Sequence, residues 1–170
     1  GSISVAAGDF NEITQNLTLN STSDITLGLI KFNGNTNGIL EQSGTQPISI
    51  ATLVMAKTGD AKLTLNDPVT VTTTATFAGG NIYSGTGKNL IFPDNIGYTG
   101  ASATSHVVGP VSKIGDDAFT FPVGSPTSLN TIAMSAPVDA ADKFRAEYKN
   151  QNPTSDGFNT GSKAGSFGTA

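Results

Sequence analysis

Pro68-Val69-Thr70-Val71-Thr72-Thr73-Thr74-Ala75-Thr76-Phe77 decides how this chain folds. Val69, Val71, Ala75 and Phe77 share one face while Thr70, Thr72, Thr74 and Thr76 occupy the other, so period two gives the strand a dry side and a wet side. The same form recurs in Leu17-Thr18-Leu19-Asn20, Ile25-Thr26-Leu27 and Leu63-Thr64-Leu65-Asn66, each closed by Asn, Asp, Ser or Gly. Turn chemistry arrives at short intervals, at Asn33-Gly34, Asn37-Gly38, Ser43-Gly44, Gly59-Asp60, Asp67-Pro68, Gly79-Gly80-Asn81 and Ser84-Gly85-Thr86-Gly87. The strands are therefore brief and numerous. No stretch of a dozen residues keeps apolar positions at helical spacing without Gly, Pro or a β-branched run. Residues 48–55 differ: Ile48, Ile50, Leu53, Val54 and Met55 place apolar groups on both faces, which predicts a central strand buried from both sides.

The fold class is all-β. The loose strand-turn-strand repeat over residues 1–100 is expected to form parallel β-solenoid-like rungs, with an antiparallel β-sandwich throughout as the alternative, since periodicity alone does not separate the two. A second β unit is expected over 101–150, with a hairpin formed by residues 106–111 and 118–123 around Lys113-Ile114-Gly115-Asp116-Asp117. Strands at 130–135 and 144–148 follow, the latter turning Phe144, Ala146 and Tyr148 inward, and Asp139-Ala140-Ala141-Asp142 suits one helical turn between them. Residues 151–170 carry Phe158 and Phe167 in polar surroundings, too little apolar surface to offset chain entropy, and read as a loose tail or an incomplete element.

Composition narrows the function classes. Among 170 residues there are 23 Thr, 16 Ser, 14 Asn and 20 Gly, while only 13% are charged, so the polar surface is largely uncharged. A net charge of -4 removes the electrostatic warrant for nucleic-acid binding or docking on an anionic membrane. Cysteine is absent, which excludes disulfides, thiolate metal sites and cysteine nucleophiles. No run reaches the roughly 20 apolar residues of a membrane-spanning helix, and Gly1-Ser2-Ile3 resembles a cloning remnant on a piece of a longer chain.

Gly109-Pro110-Val111-Ser112-Lys113-Ile114-Gly115-Asp116-Asp117-Ala118-Phe119-Thr120-Phe121-Pro122-Val123-Gly124, followed by Ser135-Ala136-Pro137 and Phe144-Arg145-Ala146-Glu147-Tyr148, resembles repeat regions of large bacterial cell-surface proteins exported by type IX secretion. Leu65-Asn66-Asp67-Pro68-Val69-Thr70-Val71 and Gly79-Gly80-Asn81-Ile82 are similar to the strand-rich repeats that precede it there. The resemblance covers roughly residues 30 to 150. It implies an adhesin-like, extracellular setting on the bacterial surface. At Ser125-Pro126-Thr127-Ser128-Leu129-Asn130 the chain departs from the family, which places an aromatic and an Arg before Pro.

Candidate chemistry is sparse. The lone His106 reads as a partly exposed strand histidine, since nothing in the sequence supplies the serine and carboxylate of a catalytic relay. Asp116 and Asp117, with Asp60, Asp67 and Asp94 on other turns, are the candidate oxygen ligands for a Ca2+ ion; their spacing matches neither an EF-hand loop nor a nonapeptide calcium repeat. No other cofactor is expected. Gly85-Thr86-Gly87-Lys88 is a turn, because no helix begins there to cradle a phosphate. The Thr70–Thr76 ladder is set beside Lys62, Asn66, Asn81 and Tyr83, which breaks any flat threonine array. Asn16-Leu17-Thr18 and Asn20-Ser21-Thr22 match the glycosylation acceptor pattern, which a Ser/Thr/Asn-rich chain produces by chance. Tyr83 and Tyr98, near Gly-rich loops, are the candidate ligand-binding aromatics, although core or rim packing is the favoured reading of both. Lys57, Lys62 and Lys88 are placed at strand ends, where they would discourage edge-to-edge aggregation.

Two functions from different classes fit. One is a non-enzymatic structural or adhesive module of an exported surface protein, whose partners are neighbouring domains and glycans or other surface polymers. The other is a carbohydrate-binding module of a secreted polysaccharide-degrading protein. An enzyme on a β-solenoid needs grouped Asp, Lys and Arg, and Arg145 is the single arginine.

Overall fold

The computed structural model describes residues 10–152, within which there is no helix. The chain winds into stacked coils, each adding one strand to two parallel sheets. The first coil holds β1 (Phe10–Ile13) and β2 (Leu17–Leu19), the second β3 (Ile25–Gly34) and β4 (Gly38–Gln42), and the third β5 (Ile48–Lys57) and β6 (Leu63–Leu65). The fourth holds β7 (Val69–Gly79) and β8 (Ile82–Tyr83); the fifth, β9 (Leu90–Phe92), β10 (Gly97–Thr99) and β11 (Val107–Val108). Next come β12 (Val111–Ile114), β13 (Phe119–Phe121), β14 (Gly124–Ser125), β15 (Ser128–Leu129), β16 (Ile132–Met134) and β17 (Lys143–Ala146). One sheet runs β1-β3-β5-β7-β9-β12-β17, with β10 beside β7, and the other runs β11-β8-β6-β4-β2. Parallel pairing continues past residue 100 through β8–β11 and β9–β12. This is a β-solenoid, and the antiparallel sandwich is not needed to describe it.

Equivalent positions stack into columns. Ile25, Ile48, Val69, Leu90 and Val111 pair in register and are all buried. Each such side chain contributes about 1.5–3 kcal/mol by leaving water. Phe32, Met55 and Phe77 form a second column, and Gly38, Leu63, Ile82 and Val107 a third in the other sheet. Gly38 has no side chain because a Cβ there would run into the Gln15 carbonyl of the coil before.

The long strands change phase halfway. In β3 the inward residues are Ile25 and Leu27, then Ile30 and Phe32; in β5 they are Ile48 and Ile50, then Leu53 and Met55. A strand that switches its inward parity presents two successive sides to the interior. In β7 the switch is absorbed by a register shift opposite Ile50/Thr52, which leaves Thr72 and Thr73 both exposed. In the fifth coil the same place is a break, with β9 continuing the first half of β7 and β10 the second. The apolar doubling at 48–55 therefore marks a corner. β5 is central, as expected, but only one of its faces is fully buried.

Three further expectations are corrected. The hairpin around Lys113–Asp117 does not form: β12 pairs with β9 on one edge and antiparallel with β17 on the other, leaving no edge for residues 118–123. β13 pairs with β16 instead. The Thr70–Thr76 face lies beside Ser49, Thr52, Val54, Ile91, Gly97 and Thr99, because the neighbouring strands in its sheet are β5, β9 and β10. Phe144 is exposed, while Ala146 and Tyr148 pack against the core. Residues 139–142 form a turn, closed by the Asp142 amide on the Asp139 carbonyl at 3.0 Å. The Gly1-Ser2 start and the tail from residue 153, with Phe158 and Phe167, lie outside the described residues.

Candidate functional site

Asparagines align the corners between sheets. Asn16 Oδ1 accepts from the Ile39 amide at 3.0 Å, Asn37 Oδ1 from the Lys62 amide at 3.1 Å, and Asn81 Oδ1 from the His106 amide at 3.1 Å. In each case a side chain of one coil holds the backbone of the next. The sequence pattern reads these residues as turn formers; their recurrence just before a short strand is the signal of a corner ladder.

Along one such corner lies a cleft of about 450 Å³. Its walls come from four successive coils: Asp60 and Lys62 from the β5–β6 connection, Asn81 and Tyr83 around β8, Thr104 before β11, and Pro126 and Thr127 between β14 and β15. Tyr83 is half-buried in an outward position between Thr64 and Val108. The Lys62 ammonium stands 4.3 Å from the centre of its ring. Among the described residues neither the Lys62 ammonium nor the Asp60 carboxylate has a hydrogen-bonded side-chain partner, so both remain available to a ligand. The far wall is braced: Asn81 Nδ2 donates to the Pro126 carbonyl at 3.0 Å.

His106 braces it too. Its ring is fully buried rather than partly exposed, because the 125–128 turn folds over it. Nδ1 lies 2.9 Å from the Ser102 carbonyl and Nε2 2.7 Å from the Ser125 carbonyl. A neutral imidazole donates to one of these oxygens, and a doubly protonated ring donates to both. The partners are backbone carbonyls from the two turns flanking the cleft, so the residue acts here as a tie between them.

Tyr98 occupies a different place. It extends the inward column Ile30, Leu53, Ala75, where its ring meets Phe77 edge-on at 5.6 Å and packs with Phe92 and Phe119 at 5.9 and 5.8 Å. Its hydroxyl donates to the Thr120 carbonyl at 2.7 Å, and burial pushes the phenol pKa up. Tyr98 thus closes the interior, and only its margin reaches a shallow open groove that it shares with Asp117.

The Asp117 carboxylate is engaged by another group, whereas the Asp116 carboxylate is exposed and only its backbone amide is tied down. The Asp116 amide donates to Asp94 Oδ1 at 3.3 Å, while Asp117 Oδ1 receives the Lys113 ammonium at 2.8 Å. That ammonium also donates to the Pro93 and Ile96 carbonyls at 2.7 and 3.2 Å, and the residue is fully buried. Burial by itself would raise the Asp117 pKa. Hydrogen bonds from Lys113 and the Asn95 amide, with the lysine's charge, outweigh burial and hold the carboxyl below its ordinary range. Among the described residues no three His, Cys, Asp or Glu side chains are grouped to hold a metal ion.

Lys57 corrects another expectation. It is an interior residue rather than a strand-end guard, and its ammonium donates to the Thr14 and Thr36 carbonyls at 2.6 and 2.8 Å. Desolvation lowers its pKa. Alternation carried the signal for both buried lysines: Met55 and Lys57, like Val111 and Lys113, are two apart on an inward face.

No known family model matches this chain, and neither does any curated protein or solved structure. No helix among the described residues is long and apolar enough to cross a membrane.

Proposed function

We propose that the chain is a non-enzymatic structural or adhesive segment of an exported bacterial cell-surface protein, the solenoid serving to hold neighbouring domains apart. The observation that carries this reading is the uninterrupted parallel ladder from β1 to β12. At about 4.8 Å per rung, a stack of this kind is a stiff rod whose coils each lean on the next. Many of its outward positions, among them Thr26, Ser49, Thr70 and Ser112 in a column that Ile91 interrupts, carry hydroxyls, which favour solubility without a strong field. Ile132, Val138 and Phe144, all exposed near the last strands, suit contact with an adjoining domain.

Antibodies raised against the purified chain, applied to intact cells of the source bacterium, test the setting. Labelling of intact cells is expected, together with loss of the epitope when those cells are treated with external protease. Labelling that appears only after lysis would overturn the proposal.

A further inference from the structure

We infer that the corner cleft around Tyr83 is a binding site for a linear, neutral saccharide chain lying along the solenoid axis. The inference goes beyond the spacer reading and does not depend on it.

Shape comes first. The cleft is lined by residues from four successive coils, so it runs with the stack rather than across it, and three steps at the usual rung spacing make it about 14 Å long. An elongated ligand fits such a trough better than a compact one. Its chemistry is mixed: an aromatic ring at Tyr83, an ammonium at Lys62, a carboxylate at Asp60, and hydroxyl-bearing walls at Thr104 and Thr127. A saccharide presents C–H faces that rest on an aromatic ring and hydroxyls that both donate and accept. Asp60 accepts from a pair of hydroxyls, and Lys62 donates to hydroxyl or ring oxygens.

Charge decides between neutral and acidic chains. Lys62 and Asp60 cancel within the cleft, and the chain carries a net charge of -4, so a polyuronate meets no net attraction. The site is also prepared in advance. His106 and Asn81 fix the turns that carry Thr104 and Thr127, so little ordering is left for binding to supply. Lys62 covers one face of the ring, so a stacked sugar takes the uncovered part of the ring or displaces the ammonium, which then donates to sugar oxygens.

Isothermal titration of the whole chain with cellohexaose, xylohexaose, mannohexaose and laminarihexaose, and with polygalacturonate as the acidic control, tests the inference. Saturable binding of at least one neutral hexasaccharide is expected. Tyr83→Ala should weaken it by at least about tenfold, with Tyr83→Phe retaining most of it. Asp60 sits on an exposed turn, so Asp60→Asn keeps the fold and should weaken binding even where Tyr83→Ala perturbs the strand. Absence of binding by all four neutral chains, binding of polygalacturonate alone, or affinity unchanged in both Tyr83→Ala and Asp60→Asn would each overturn it. None of these results bears on where the protein resides in the cell.

Discussion

Replacing Lys113 by Met exposes the balance on which the end of the core depends. Two effects oppose each other. Removing the ammonium abolishes the desolvation cost of a fully buried cation, which amounts to several kcal/mol. It also removes bonds to Pro93 O, Ile96 O and Asp117 Oδ1 at 2.7, 3.2 and 2.8 Å. Hydrogen bonds to charged groups contribute about 1.5–3 kcal/mol each, and breaking a buried pair from one side costs about 3–5 kcal/mol. The Asp117 side chain keeps 31% exposure and partly re-solvates, so the expected loss is nearer about 2–4 kcal/mol. Urea denaturation at neutral pH measures it. Lys113→Met/Asp117→Asn, which removes the stranded charge as well, should recover about 1 kcal/mol of that loss. Acid supplies the second check. The folded pKa of Asp117 lies below its ordinary value of 3.8, so its stabilisation is complete above that value and disappears as pH falls through the folded one. The gap between parent and Lys113→Met should therefore narrow in acid. A variant as stable as the parent at neutral pH, or a gap that does not change with pH, would refute the reasoning.

Lys57 gives the same direction of pH dependence in the alkaline range: its folded pKa lies below the ordinary lysine value, so the parent should gain stability as pH rises from the folded value to the ordinary one, and Lys57→Met should lack that rise in denaturation midpoints. The neutral amine still donates to both carbonyls. Leu90→Ala, in an interior column, should cost about 2–5 kcal/mol, whereas the adjacent outward Ile91→Ala should cost much less, as thermal unfolding of the two variants would show. Tyr98→Phe should lose about 0.5–1.5 kcal/mol with the Thr120 hydrogen bond, and Tyr98→Ala about 3–5 kcal/mol with the ring, read by denaturant midpoints. An unchanged Tyr98→Ala midpoint would contradict its place in the core.

Alternation and turn chemistry made the strands legible because both act locally: Val69-x-Val71 and Asn33-Gly34 need no distant partner to be read. Parallel coils, the first expectation, are what the chain forms, although a period of two is shared by every sheet and does not by itself separate them from a sandwich. Long-range geometry also hid the corner. A phase change in 48–55 has the same composition as a doubly buried strand, and only the register against β3 and β7 separates them. The residues 106–123 were misread for a related reason. Gly115-Asp116-Asp117 is good turn material, yet pairing is decided by which edges are free, and β9 and β17 take both edges of β12. At the site, Tyr83 was recognisable by type and placed near a turn, whereas the cleft itself depends on four coils that no sequence window contains. Lys57 and His106 follow their usual solvent preference in the sequence reading, which carbonyl partners reverse in the fold.

The direction of β17 also limits self-association. Because it lies antiparallel on β12, a second molecule cannot continue the parallel winding from that strand, and Lys143 and Arg145 give the covering strand a cationic border. Such a stopper lets many copies be crowded together without fusing end to end into fibres through this seam.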